Sequence, residues 1–232
     1  GAEVSIYGRD FHIFNLHDNS KGLERPKVRL ISRGRSGQRW QLLYWRDNGP
    51  MEHLLYDCKT AATTRFFPQS PMLKYKFAHM EDVRIVARDG TELVAYLTRA
   101  DAQKATPLVL KVHGGPASRD VWGFDPEDQW LANRGYAVLR VNFRGSLGYG
   151  KSFVSVGFDR DQWGIGVMQH DLTDAVAWAI KEGVALEDKI CIFGHSYGGY
   201  ASFAGMSFTP GLYACGVSMS GLAVPPFEGE MN

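Results

Sequence analysis

Residues 190–206 read ICIFGHSYGGYASFAGM, and no other stretch narrows the fold of this chain so far. An apolar strand, "KICIFG", runs into a turn holding Gly194, Gly198 and Gly199, and a small-residue helix follows at once. A strand that is apolar on both faces needs cover on both, which a parallel sheet between helices supplies. The rest of the second half fits that frame. "PLVLKV" is another unbroken apolar run. "WLANRGYAVLRVN" ends a helix at Gly135 and enters a further strand. Met168, Leu172, Ala175, Val176, Ala179 and Ile180 mark one face of a helix. Asp89-Gly90-Thr91 joins "VRIVAR" to "ELVAYLT" as a hairpin, and "YACGVSMS" reads as the next strand. Strands alternating with helices predict a mostly parallel α/β sheet.

Residues 1–67 have another texture. "AEVSIYG", "FHIFNLHD", "PKVRLIS", "RWQLLYWRD" and "MEHLLYD" are short aromatic-rich strands separated by turn signals. In the fourth, Trp40, Leu42 and Tyr44 alternate with Gln41, Leu43 and Trp45. The pattern fits a plain antiparallel sheet or the end of a β-propeller; the strands are too few for a whole propeller and no strict repeat is present. "FPQSPMLKYKFAHM" is a proline-bearing connector, so the expected domains are 1–73 and 74–232.

Gly194-His195-Ser196-Tyr197-Gly198 fits G-x-S-x-G between strand and helix, the setting of a nucleophile elbow. The turn is cramped, and glycines at 194 and 198 remove β-carbons that would clash. Ser196 is the candidate nucleophile. His195 is not its base: as the immediate neighbour in a tight turn it points away, and it reads as packing beside the strand. His113-Gly114-Gly115-Pro116 follows "PLVLKV", where an oxyanion loop belongs. Acyl transfer places negative charge on a former carbonyl oxygen, which two preorganised N–H groups can hold. Gly115 and Tyr197 are the expected donors; Pro116 has no N–H. "NFRGSLGYG" forms a tight loop at the same sheet edge. Its Arg144 is either a structural ion-pair partner supporting the loop or a substrate contact. The loop has no phosphate-cradle pattern.

The composition excludes several classes. At a formal net charge of +1, nothing points to nucleic acid. No stretch of eighteen apolar residues exists, so no membrane partner is expected, and the first residues do not read as a signal peptide. Cys58, Cys191 and Cys215 are read as buried thiols in a reducing, cytoplasmic compartment. No H-E-x-x-H or C-x-x-C is present, and neither a metal nor a cofactor is expected.

In order along the chain, "HGGP", "NFRGSLGYG", "WGIGVMQHDLTDAVAWAI" and "GHSYGGYA" resemble the prolyl oligopeptidase family of serine peptidases, in particular its acylaminoacyl-peptidase and dipeptidyl-peptidase-like branch. "MEDVRIVARDGTELVAYLT" resembles that family's entry into its hydrolase domain, and "LLYDCKTAATTRFF" its last blade. The resemblance implies an α/β-hydrolase fold, truncated at its C-terminal end and preceded by the last strands of a β-propeller. It implies cleavage of short peptides by Ser196, with Gly115 and Tyr197 at the oxyanion. In this fold the order is Ser, then Asp, then His. After Ser196 there is no histidine and no aspartate, only Glu228 and Glu230. The expectation is therefore an internal part of a longer enzyme, inactive alone. An esterase or lipase-like hydrolase and a catalytically dead binding homologue are the alternatives, and a homo-oligomer is left open.

Overall fold

The computed structural model describes residues 2–7, 10–15, 27–159 and 166–222, with residues 2–7, 10–15 and Lys27 described as backbone only. The chain divides into two compact units, Gly1–Met80 with Trp122–Gln129, and Glu81–Val121 with Trp130–Asn232.

Apart from a 3-10 turn at Pro71–Lys74 and the start of a helix at Pro126, the first unit is built of β-strands. Strands β1 (Ala2–Tyr7) and β2 (Asp10–Asn15) pair antiparallel. Strands β3 (Lys27–Arg33), β4 (Arg39–Trp45), β5 (Glu52–Asp57) and β6 (Ala62–Arg65) follow one another as a four-stranded antiparallel sheet, each beside its sequence neighbour. The alternation read in β4 has its physical cause here. Leu42 is fully buried with Val28 and Leu54, and Leu30, Trp40, Tyr44 and Tyr56 pack around them. Across the β4–β5 pair Leu42 opposes Leu54 and Trp40 opposes Tyr56, whose rings lie 6.0 Å apart. Such cross-strand pairs stabilise a sheet by about 0.2–1 kcal/mol each.

The second unit holds one six-stranded sheet in the order β12-β11-β9-β10-β8-β7. Its strands are β7 (Met80–Val86), β8 (Glu92–Thr98), β9 (Thr106–Val112), β10 (Ala137–Asn142), β11 (Ala185–His195) and β12 (Cys215–Met219). Strand β9 runs parallel to both β10 and β11, β11 runs parallel to β12, and β8 meets β10 antiparallel. Helix α1 (Pro126–Ala132) precedes β10. Helices α2 (Lys151–Ser155) and α3 (Val167–Lys181) lie between β10 and β11, and α4 (Tyr197–Phe208) between β11 and β12. Every residue of β10 is buried, the burial that a central strand covered on both faces requires. The α3 stripe falls where its spacing predicts: Met168, Leu172, Ala175, Val176 and Ala179 are fully buried, and Ile180 packs partly buried beside them.

Three details differ from the sequence reading. Strand β11 begins at Ala185 instead of after Asp188, because Ala185 pairs with Thr106 ahead of an irregularity that leaves the charged run Glu187-Asp188-Lys189 exposed. Helix α2 starts at Lys151, directly after the NFRGSLGYG loop, in a stretch to which the sequence reading gave no element. The cysteines are not buried: Cys58 and Cys215 are exposed and Cys191 is half-buried, with Cys191 opposite Cys215 across β11 and β12.

Candidate active site

Ser196 stands between the last residue of β11 and the first of α4, at φ 57° and ψ −116°. A non-glycine residue held at positive φ stores backbone strain, so the surroundings must impose it. They do so through hydrogen bonds and close packing. The Ser196 N–H donates to the Met219 carbonyl at 2.9 Å, and the Ser196 carbonyl accepts from the Tyr200 N–H at 3.0 Å. A β-carbon on Gly194 would lie 2.5 Å from the Gly198 carbonyl oxygen, and one on Gly198 would overlap the Val112 carbonyl oxygen. Only glycine fits at either place. Ser196 itself is exposed. His195 is exposed too, and is not packed away beside the strand.

The HGGP loop comes directly up to this turn. A β-carbon on Gly114 would sit 3.1 Å from the His195 carbonyl oxygen and 3.4 Å from the Ser196 β-carbon. Gly115 has φ 123°, and a side chain there would run into the Ala117 and Ser118 nitrogens at 2.6 and 2.9 Å. On the other side, Tyr197 is the first residue of α4. The N–H groups of a helix's first turn point out of its N-terminal end, where the helix dipole favours negative charge. Ser196 thus lies between the glycine loop and a helix start.

Sequence reasoning gave His113 no role, yet the structure gives it one. Its ring stacks on Phe143 at 4.5 Å, and Phe143 stacks on Tyr197 at 5.3 Å. Nδ1 lies 2.8 Å from the Gly114 carbonyl oxygen. A bare nitrogen lone pair facing an oxygen at that distance would repel it, so the ring proton belongs on Nδ1. The Gly114 carbonyl and the Gly115 N–H share one planar peptide. Fixing the first therefore aims the second. At the other end of the ring, the Ser146 hydroxyl stands 2.8 Å from Nε2 and 2.6 Å from the Phe143 carbonyl. Burial pushes the His113 pKa below the ordinary histidine value, which keeps the ring neutral at physiological pH. The separation of 33 positions between His113 and Ser146 leaves no local signal of this link.

Arg144 is occupied within the fold. Its Nη2 lies 2.5 Å from Asp171 Oδ1, its Nε contacts both Asp171 oxygens, and its backbone N–H donates to Asp171 Oδ2 at 2.8 Å. Nη1 pairs with Asp89. Burial pushes the Asp171 carboxyl upward while the Arg144 hydrogen bonds oppose that, and those same bonds raise the Arg144 pKa. The segment beyond Pro116 is tied down as well. The Arg140 guanidinium pairs with Asp120 at 2.6 Å, and the Asp120 N–H donates to Asn142 at 2.8 Å. Among the described residues no group of three or more His, Cys, Asp and Glu side chains is placed to hold a metal ion, and no described helix is long and apolar enough to cross a membrane.

The model of the prolyl oligopeptidase family matches residues 122–224. A dipeptidyl aminopeptidase BIII of Pseudoxanthomonas mexicana is 44% identical over 204 residues, covering 84% of this chain and 29% of that protein. Dipeptidyl peptidase family member 6 of Caenorhabditis elegans is 40% identical over 168 residues, covering 69% and 21%. The acylaminoacyl peptidase structure from Pyrococcus horikoshii superposes with a TM-score of 0.66 at 25% identity, covering 80% of this chain and 30% of that one. The chain therefore spans less than a third of the length of these relatives. Strand order, elbow and antiparallel blade define an α/β-hydrolase fold preceded in sequence by propeller strands. The chain belongs to the prolyl oligopeptidase family of serine peptidases.

Proposed function

We propose that the protein hydrolyses peptide bonds in short peptides through an acyl-enzyme on Ser196. The Ser196 hydroxyl adds to the scissile carbonyl, and its proton goes to a general base. The N–H groups of Gly115 and Tyr197 hold the resulting oxyanion, the C–N bond breaks, and the base returns the proton to the leaving amine. Water then adds to the ester and frees Ser196. The observation that carries this reading is the exposed, strained Ser196 with Gly114 packed on it and a helix start behind it. The names of the two most similar relatives reported above favour a peptidase over an esterase. Arg144 is proposed as loop support, in keeping with its two carboxylate partners. Three free thiols support a cytoplasmic setting.

Neither an aspartate nor a histidine follows Ser196 in this sequence, so the base is proposed to come from protein outside these 232 residues. Serine is a weak nucleophile without an adjacent base, and losing the histidine of a comparable triad costs on the order of 10⁶ in kcat. The test is labelling by a fluorophosphonate probe. The full-length protein should be labelled at Ser196 and cleave peptide nitroanilides, while Ser196→Ala does neither and the 232-residue chain cleaves nothing measurable. An unlabelled Ser196 in an active full-length protein overturns the proposal.

A further inference from the structure

A groove beside the glycine loop plays no part in the steps above. After β10 the chain folds back on itself: the Gly145 N–H donates to the Phe153 carbonyl and the Leu147 N–H to the Ser118 carbonyl, each at 2.8 Å. Gly148, Gly150, Lys151, Val154, Ser155 and Phe158 line an open, largely apolar cavity of about 500 Å³ there, within the size range of sites that bind small molecules. The wall of this cavity rests on the loop that carries Gly115. A β-carbon on Gly157 would lie 3.2 Å from Pro116 Cγ and 3.2 Å from Gly145 Cα.

Two cations border the cavity. Arg119 lays its guanidinium over Gly148, where a β-carbon would run into Nη1. Lys151 lines the cavity itself. Both residues are exposed, and among the described residues neither enters an ion pair or hydrogen bond. Two nearby acids are engaged elsewhere, Asp120 by Arg140 and Asp82 by Arg84. Among the described residues the site therefore offers apolar surface next to positive charge that no carboxylate pairs with. A guanidinium suits a carboxylate in particular, because its fork can bind both oxygens.

Resting on the peptidase reading, we propose that this groove takes the carboxyl-terminal residue of a short peptide. An apolar terminal side chain occupies the cavity, and the free α-carboxylate is held by Arg119 and Lys151. The substrate class is thus short peptides with an unblocked, apolar C-terminus.

Calorimetric titration of the full-length protein carrying Ser196→Ala tests this without chemistry. The probes are Ala-Ala-Phe, its C-terminal amide, and Ala-Glu-Phe amide, whose only carboxylate is a side chain. The free acid should bind about tenfold tighter than its amide, with the margin shrinking as salt is raised. Arg119→Gln with Lys151→Gln should erase the margin at an unchanged melting temperature, and Arg119→Lys should keep part of it. Equal affinities for acid and amide, no binding of either, or a margin that survives the double variant would overturn the proposal. Tight binding of the Glu amide would assign the cations to acidic side chains and overturn it equally. Fluorophosphonate labelling stands apart from these results. A carboxylate margin without labelling removes the peptidase reading alone, and labelling without a margin removes the groove alone.

Discussion

At the scale of single residues, the site is built by what is left out. Gly198 has no room for a methyl group against the Val112 carbonyl oxygen, and Gly194 has none against the Gly198 carbonyl. Gly198→Ala must therefore shift either the β9 end or the α4 start. We expect a loss of about 3 kcal/mol or more in urea unfolding, at the upper end for overpacking, together with loss of Ser196 labelling. His113 acts at one remove. It touches no reacting atom in the proposed scheme but aims the Gly115 N–H through the Gly114 carbonyl. Removing one oxyanion donor costs on the order of 10²–10³ in kcat, and His113→Ala should approach that loss with KM little changed. A purely structural role would lower the melting temperature without splitting kcat from KM in this way. Ser146→Ala should lie between wild type and His113→Ala.

At the scale of elements, ion pairs pin the hairpin and α3 to the loop after β10. Asp89, in the β7–β8 turn, is held down to about 2 by the Arg144 guanidinium and the Thr91 N–H, against an ordinary value of 3.8. Because the folded pKa is the lower one, its contribution to stability is fully present above about pH 4 and disappears as the pH falls towards 2. Asp89→Asn should flatten this part of the acid-unfolding curve and leave stability near pH 7 only modestly reduced, since half of that side chain faces water. Strands β9 and β10 and helix α3 could be read from sequence because their apolar spacing repeats over several residues and their burial is two-sided. The elbow was legible because three glycines within six positions answer to local crowding. Arg144 with Asp171, and His113 with Ser146, were not, because their partners lie 27 and 33 residues away and nothing in short-range pattern encodes such pairs. Helix α2 was hidden because its five residues follow Gly148 and Gly150, whose positive φ values are turn signals in their own right.

At the scale of the molecule, β12 is one of the two edge strands of the second unit's sheet among the described residues, opposite β7. Strand β12 ends the strand order, with Val217 and Met219 about half exposed, and Phe203 and Phe208 of α4 are exposed as well. An apolar edge with unpaired backbone is a template for association. These 232 residues expressed alone should sediment as dimers or larger species at micromolar concentration, and Val217→Lys should return them towards monomer; a monomeric wild-type chain would refute this. The same margin is tied to the chemistry. The last residue of β12, Met219, supplies the carbonyl that holds the Ser196 N–H. Whatever docks along that border pulls on the peptide that sets the serine's angle, so the rate of phosphonylation at 196 becomes a gauge of whether the border is occupied.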